Sequence, residues 1–202
     1  MNFKHHLERA WRLTIDNLVP LVLMTLVMVV VSGLTLGILA LVTLAGYTKA
    51  ILLMVRTGRE PKIADIFSEM RLFLPLLGYS IVVVIVTSIG FALLFIPGII
   101  LACAIAWASL YMLPLMVDRG MGVVEAFKES FRIVSSRDDI MDHIVLLILL
   151  VGISAVGSSV FIGWLFTQPF AMILLVSAYE ENVVGAGGSP LQAPPPPPPG
   201  EA

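Results

Sequence analysis

Cysteine occurs once, at Cys103. A single thiol excludes an internal disulfide and a cysteine-based metal site, and inside an apolar run it acts as a small hydrophobe. Charge is also scarce: Asp, Glu, Lys and Arg make up 13% of the 202 residues, and the net charge is −2. No cluster of basic and aromatic residues is there to neutralise phosphates and stack bases, so nucleic acid is not an expected partner. The chain has no Gly-x-Gly-x-x-Gly, P-loop, Gly-x-Ser-x-Gly, His-Glu-x-x-His or Cys-x-x-Cys. These gaps argue against an enzyme and against a bound cofactor or metal.

What is present is apolar. Hydrophobic residues make up 58% and the mean hydropathy is +1.00, well outside the range of soluble domains, so lipid is the expected solvent for most of the chain. Three long blocks, 18–55, 74–117 and 144–179, are almost free of charge. The first is too long for the apolar region of a secretory signal, so it is expected to be retained. A helix rises 1.5 Å per residue and needs about 20 residues to cross a bilayer, so each block has room for two crossings. Glycine, serine and proline mark the turns: residues 32–37, residues 95–98 around Pro97 and Gly98, and either residues 157–159 or Gly163. Pro169 is expected to kink the last span.

Each block follows a charged segment with helical apolar periodicity. Phe3, Leu7, Trp11 and Ile15 form one stripe; Ile63, Ile66, Phe67, Met70 and Phe73 a second; Val124, Phe127, Phe131 and Val134 a third. The expected fold is all-α and polytopic, with six transmembrane helices arranged as three hairpins, each preceded by an amphipathic interfacial helix. The spans fall at roughly 18–35, 37–55, 74–95, 98–117, 143–160 and 162–179, and the interfacial helices at 3–16, 62–73 and 122–136. The unit recurs with a period of about 60 residues, echoed in Leu53-Met54-Val55 with Gly58 and Leu115-Met116-Val117 with Gly120. Residues 1–181 make one membrane domain. Residues 182–202, rich in glycine and ending in a run of prolines, have no apolar face to bury and read as a disordered tail, either a spacer or a proline-rich ligand.

All lysines and arginines except Lys49 lie in the three charged segments, which an even number of crossings places on one side. The positive-inside rule then makes both termini and all three interfacial helices cytoplasmic, in a multi-pass cell-membrane protein.

Charged residues inside or beside spans are the candidate contacts for a partner or a lipid headgroup: Lys49, Asp118, Arg119, Glu125 and Arg132. Lys49 could instead snorkel to the interface. Asp139, Asp142 and His143 share a helix face before the fifth span and could hold a divalent cation or serve headgroup chemistry; the simpler reading is a solvated cap at a helix N-terminus.

Ile96-Pro97-Gly98-Ile99, the span ending Pro114-Leu115-Met116-Val117-Asp118, then Gly120 and Glu125-Ala126-Phe127-Lys128-Glu129-Ser130 carry a resemblance. This pattern resembles the bacterial membrane-protein superfamily that includes the membrane domain of glycerophosphodiester phosphodiesterases and several six-span relatives. The resemblance covers roughly residues 10–180. It implies a six-span fold without catalysis, because the enzymes of that group carry their chemistry on a separate soluble barrel. The resulting expectation is a non-catalytic membrane scaffold or partner-binding module, in contact with the bilayer and with a membrane-protein partner or a second copy. The alternatives are a transporter or channel for a lipid or apolar solute, with Lys49 facing a cavity beside Asp118 or Glu180, and then a lipid-modifying enzyme.

Overall fold

A computed structural model describes residues 3–93, 95–136, 140–158 and 161–184. The fold is all-helical. Helix α1 is Phe3–Asp16, α2 Leu18–Leu34, α3 Ala40–Thr57, α4 Phe73–Leu93, α5 Phe95–Ala108, α6 Met112–Arg119, α7 Val123–Val134, α8 Ile140–Ser158 and α9 Phe161–Tyr179. A short π turn, Glu180–Val184, continues α9, so Asn182 and Val183 still belong to the helical body. Residues 185–202, most of the expected tail, lie outside the described residues.

Four stretches are long and apolar enough to cross a membrane: Ala40–Thr57, Ile63–Ala92, Phe95–Arg119 and Ile140–Gly157. A fifth arises if α1 and α2, bent by 86° at Asn17, are taken together. The long apolar faces of α4 and α8 are uncovered by protein, with Ile81, Val84, Ile85, Ile148 and Val151 exposed. Such a surface is a liability in water and is satisfied by a bilayer.

Where the expected turns fall follows from backbone chemistry. The α2–α3 turn occupies residues 35–39, with Leu36 and Gly37 both at positive φ. Helix α5 already begins at Phe95, so Pro97 lies inside its first turn rather than in the connection. A proline there loses nothing, because first-turn N–H groups have no intrahelical partner. Helix α8 is described to Ser158 and α9 from Phe161, so Gly163 lies within α9, while residue 159, the last of the expected glycine-serine turn, and residue 160 lie outside the described residues. Pro169 lies within α9, which continues on both sides of it.

The segment expected as an interfacial helix over 62–73 is wound differently. It forms two 3-10 turns, Ile63–Phe67 and Met70–Leu72. Its first turn packs on α3 at Gly46, where an added Cβ would lie 2.1 Å from the Ile66 carbonyl oxygen. Only a residue without a side chain admits backbone that close. The tighter 3-10 winding leaves Ala64 and Ser68 exposed and turns Ile66 and Glu69 inward.

Helices α1 and α7 keep the expected winding but bury their small faces. Ala10 and Thr14 are inside in α1, and Ala126 and Ser130 in α7, while Trp11, Ile15, Val124 and Phe131 are exposed. Small residues let helices approach closely, and Val134 of the α7 stripe joins them inside, while Val124 and Phe131 are left for lipid.

The packing repeats with the sequence. The first 3-10 turn lies on α3, α7 lies on α5 and α6, and α1 lies on α9. Each charged segment thus seats on the second long helix of the unit before it, and α1 closes the cycle by seating on the last one. At the centre α3 packs against both α6 and α9.

Candidate functional site

The C-terminal ends of α3, α6 and α9 bring three charged side chains together. Gly58 and Gly120, at φ +69° and +64°, terminate α3 and α6 in the left-handed conformation that glycine adopts without strain. Two residues before each glycine stands the charged residue that the helix end delivers: Arg56 and Asp118. Arg56 and Asp118 are 62 residues apart, and Arg56 and Glu180 124 apart, so the three occupy equivalent places in successive units.

Arg56 is the hub. Its Nη1 and Nη2 donate to Oδ1 and Oδ2 of Asp118 at 2.6 and 2.8 Å, and its Nε donates to Oε1 of Glu180 at 2.7 Å. The fork geometry of a guanidinium suits this two-carboxylate arrangement, and an ammonium would not reproduce it. The Asp118 side chain is only 2% exposed. Its second oxygen also accepts from the Tyr179 hydroxyl at 2.7 Å, so both carboxylate oxygens are engaged. One arginine against two carboxylates leaves the cluster one negative charge in excess, at the ends of helices whose dipoles already carry partial negative charge.

A second layer surrounds it. Arg119 donates to the Val183 carbonyl at 3.3 Å, Asn182 donates to the Tyr111 hydroxyl at 3.2 Å, and the Tyr111 backbone N–H donates to Ser130 Oγ at 3.0 Å. From α1, Arg9 donates to the Val55 carbonyl at 2.9 Å and His6 pairs with Glu181. Tyr111 meets the rings of His143 and Tyr179 at 5.5 and 6.1 Å between centroids. Every charged segment except 58–72 therefore has a hand on this end of the bundle.

Lys49 is elsewhere. Its Nζ donates to Glu69 Oε1 at 2.6 Å, and Arg71 Nε donates to the other oxygen, Oε2, at 2.8 Å. Asp118 and Glu180, the expected neighbours of Lys49 in a transport path, are held by Arg56 instead. Lys49 has not simply snorkelled to water either: it is fixed to a carboxylate that is 1% exposed.

The remaining sequence-derived candidates do not converge. Glu125 is exposed on α7; Arg132, on the same helix, pairs with Glu129 at 2.5 Å, which raises the guanidinium's pKa by hydrogen bond and charge. His143 is fully buried in the first turn of α8 and Asp142 is half-buried beside it. Asp139 lies outside the described residues. Among the described residues no group of three His, Cys, Asp or Glu side chains is placed to hold a metal ion. Grooves of about 500 and 310 Å³ run along α4 and α5, lined by apolar side chains such as Val86, Leu101 and Phe127. They present no group able to act on a substrate.

Sequence reasoning placed Arg56 only as one of the basic residues of the second charged segment and gave Tyr179 and Glu69 no role. The signal for the hub was present in the repeat: Leu53-Met54-Val55-Arg56 and Leu115-Met116-Val117-Asp118 align residue for residue up to a reversal of charge. No protein-family model, curated protein or solved structure matches the chain.

Proposed function

We propose that this chain is a non-catalytic membrane scaffold that binds a partner protein through its cytoplasmic helices. The observation that carries the reading is how the buried charges are used: Arg56, Asp118, Glu180 and Tyr179 satisfy one another, and the buried Glu69 has both its oxygens held, by Lys49 and Arg71. Groups committed in this way fasten helices together and are not poised for turnover or for passing an ion. Exposed charged groups stand on α7, with Glu125, Lys128 and Arg132 outward, and also on α1 and the 59–62 loop.

In this reading α2 and α9 also cross the bilayer, giving six spans as three hairpins. The 86° bend between α1 and α2 lays α1 along the surface when α2 crosses, as an interfacial helix requires. Both termini, α7 and the buried charge cluster are then cytoplasmic. The kinship implied by the resemblance, with a membrane domain that accompanies catalysis without performing it, fits the same role.

The test is copurification from native membranes with and without reversal of the α7 surface. Glu125→Lys with Arg132→Glu is expected to remove a specific protein partner while the chain accumulates and elutes unchanged. An identical set of copurifying proteins from both forms would reject the scaffold reading.

A further inference from the structure

Glu69 is almost wholly buried, yet it has two cations where one would neutralise it: Lys49 on Oε1 and Arg71 on Oε2. The cluster therefore carries a surplus positive charge. Of the neighbouring groups, Asp65 is held by Arg59, and Glu60 and Lys62 are exposed on the loop. The cations are more accessible than the carboxylate they share, with 34% of the Lys49 side chain and 61% of that of Arg71 exposed. Lys49 uses one of three donors on Glu69 and Arg71 one of five, so each keeps donors for an outside acceptor.

Depth decides what that acceptor is. Glu69 and Arg71 stand just before Phe73, where the 21-residue apolar helix α4 begins, so they mark one end of a span, and Lys49, the tenth of the 18 residues of α3, reaches them at that level. Surface open at that level meets lipid near its headgroups. A soluble anion would have to leave water to reach it, whereas a lipid phosphate already sits there with its chains in the hydrocarbon.

We propose that Lys49 and Arg71, aligned by Glu69, form a binding site for the phosphate of an anionic phospholipid. A zwitterionic headgroup brings its own cation next to the surplus charge, so the site selects lipids with net negative charge. Glu69 acts as a positioning residue: it fixes both cations by their inner donors and leaves the outer ones toward the lipid. The site stands on the membrane assignment alone. Its failure would leave the partner-capture result untouched.

The test is native mass spectrometry of the full chain extracted from vesicles of phosphatidylcholine mixed with phosphatidylglycerol. The wild type is expected to retain phosphatidylglycerol over phosphatidylcholine, with that preference falling about fivefold for each basic residue removed in Lys49→Gln and Arg71→Gln. Glu69→Gln is expected to weaken the preference, by less than either basic substitution, because both cations remain but lose the carboxylate that aligns them. Should the double variant not accumulate, Arg71→Gln alone decides, since its side chain is largely outside the core. Equal retention of the two lipids by the wild type or an unchanged preference in the basic variants would overturn the site, and an unchanged preference in Glu69→Gln would overturn the positioning role of Glu69. Displacement of bound phosphatidylglycerol by inorganic phosphate would overturn the assignment to lipid.

Discussion

Arg56 balances two carboxylates, and its loss strands both. In Arg56→Met the buried Asp118 keeps only the Tyr179 hydroxyl, and Glu180 loses its cation; breaking a buried ion pair from one side costs about 3–5 kcal/mol. Thermal unfolding in detergent should show that loss. Asp118→Asn should lose less, because Arg56 retains Glu180 and the amide oxygen still accepts from Tyr179. Equal destabilisation by the two substitutions would mean that Arg56 is not the hub. The difference between a loop arginine and this one was not legible from Arg56 itself. A charge at the end of an apolar run reads as interfacial whether it faces water or two carboxylates, and only the 62-residue interval to its partner distinguishes the cases. The acidic residues before α8 show the converse: their clustering in sequence was obvious, yet His143 points into the bundle beside Tyr111, a direction that spacing along one helix does not reveal.

At the level of elements, the 3-10 segment depends on Gly46. A methyl group there would lie 2.1 Å from one carbonyl oxygen and 2.6 Å from the next, and backbone cannot yield as a flexible side chain does. Gly46→Ala should therefore lift the segment off α3 and destabilise the chain by about 1–3 kcal/mol. Proteolysis at Lys62 and Arg71, followed in time, reports the lifting. Gly78→Ala is the control: nothing lies within 4 Å of the added methyl, and alanine is the better helix former by up to about 1 kcal/mol. Similar protease sensitivity in both would remove Gly46 from its role. The apolar stripe of residues 62–73 was legible, and its existence as an element with it. Its winding was not, because Ile63, Ile66, Phe67 and Met70 fit repeats of three as well as of 3.6. In α1 and α7 the stripe revealed amphipathicity but not which of its residues are buried, since in a membrane protein large apolar residues serve lipid as well as packing: Phe131 is exposed and Val134 is inside.

For the whole molecule, composition and block length were enough to indicate an all-helical chain with several candidate spans, because hydrocarbon solvent permits few other solutions. The cyclic seating of the units was out of reach: it depends on which surfaces fit, and the sequence period states only that the units are alike. The proposed orientation makes a measurable statement. In a Cys103→Ser background, a cysteine replacing Glu125 should react with a membrane-impermeant maleimide only from the cytoplasmic side, and one replacing Ile38, exposed in the α2–α3 turn, only from the opposite side. Labelling of both from one side would reject the topology. The seating of α1 on α9 also has a temporal meaning. Ribosomes deliver α1 well before α9, so α1 lacks its seat, and Arg56 its second carboxylate, until α9 has been made. The bundle is thus locked by α9. A nascent chain stalled before Tyr179 would hold Arg56 by Asp118 alone, short of its second carboxylate, a mark by which quality control could tell unfinished from finished protein.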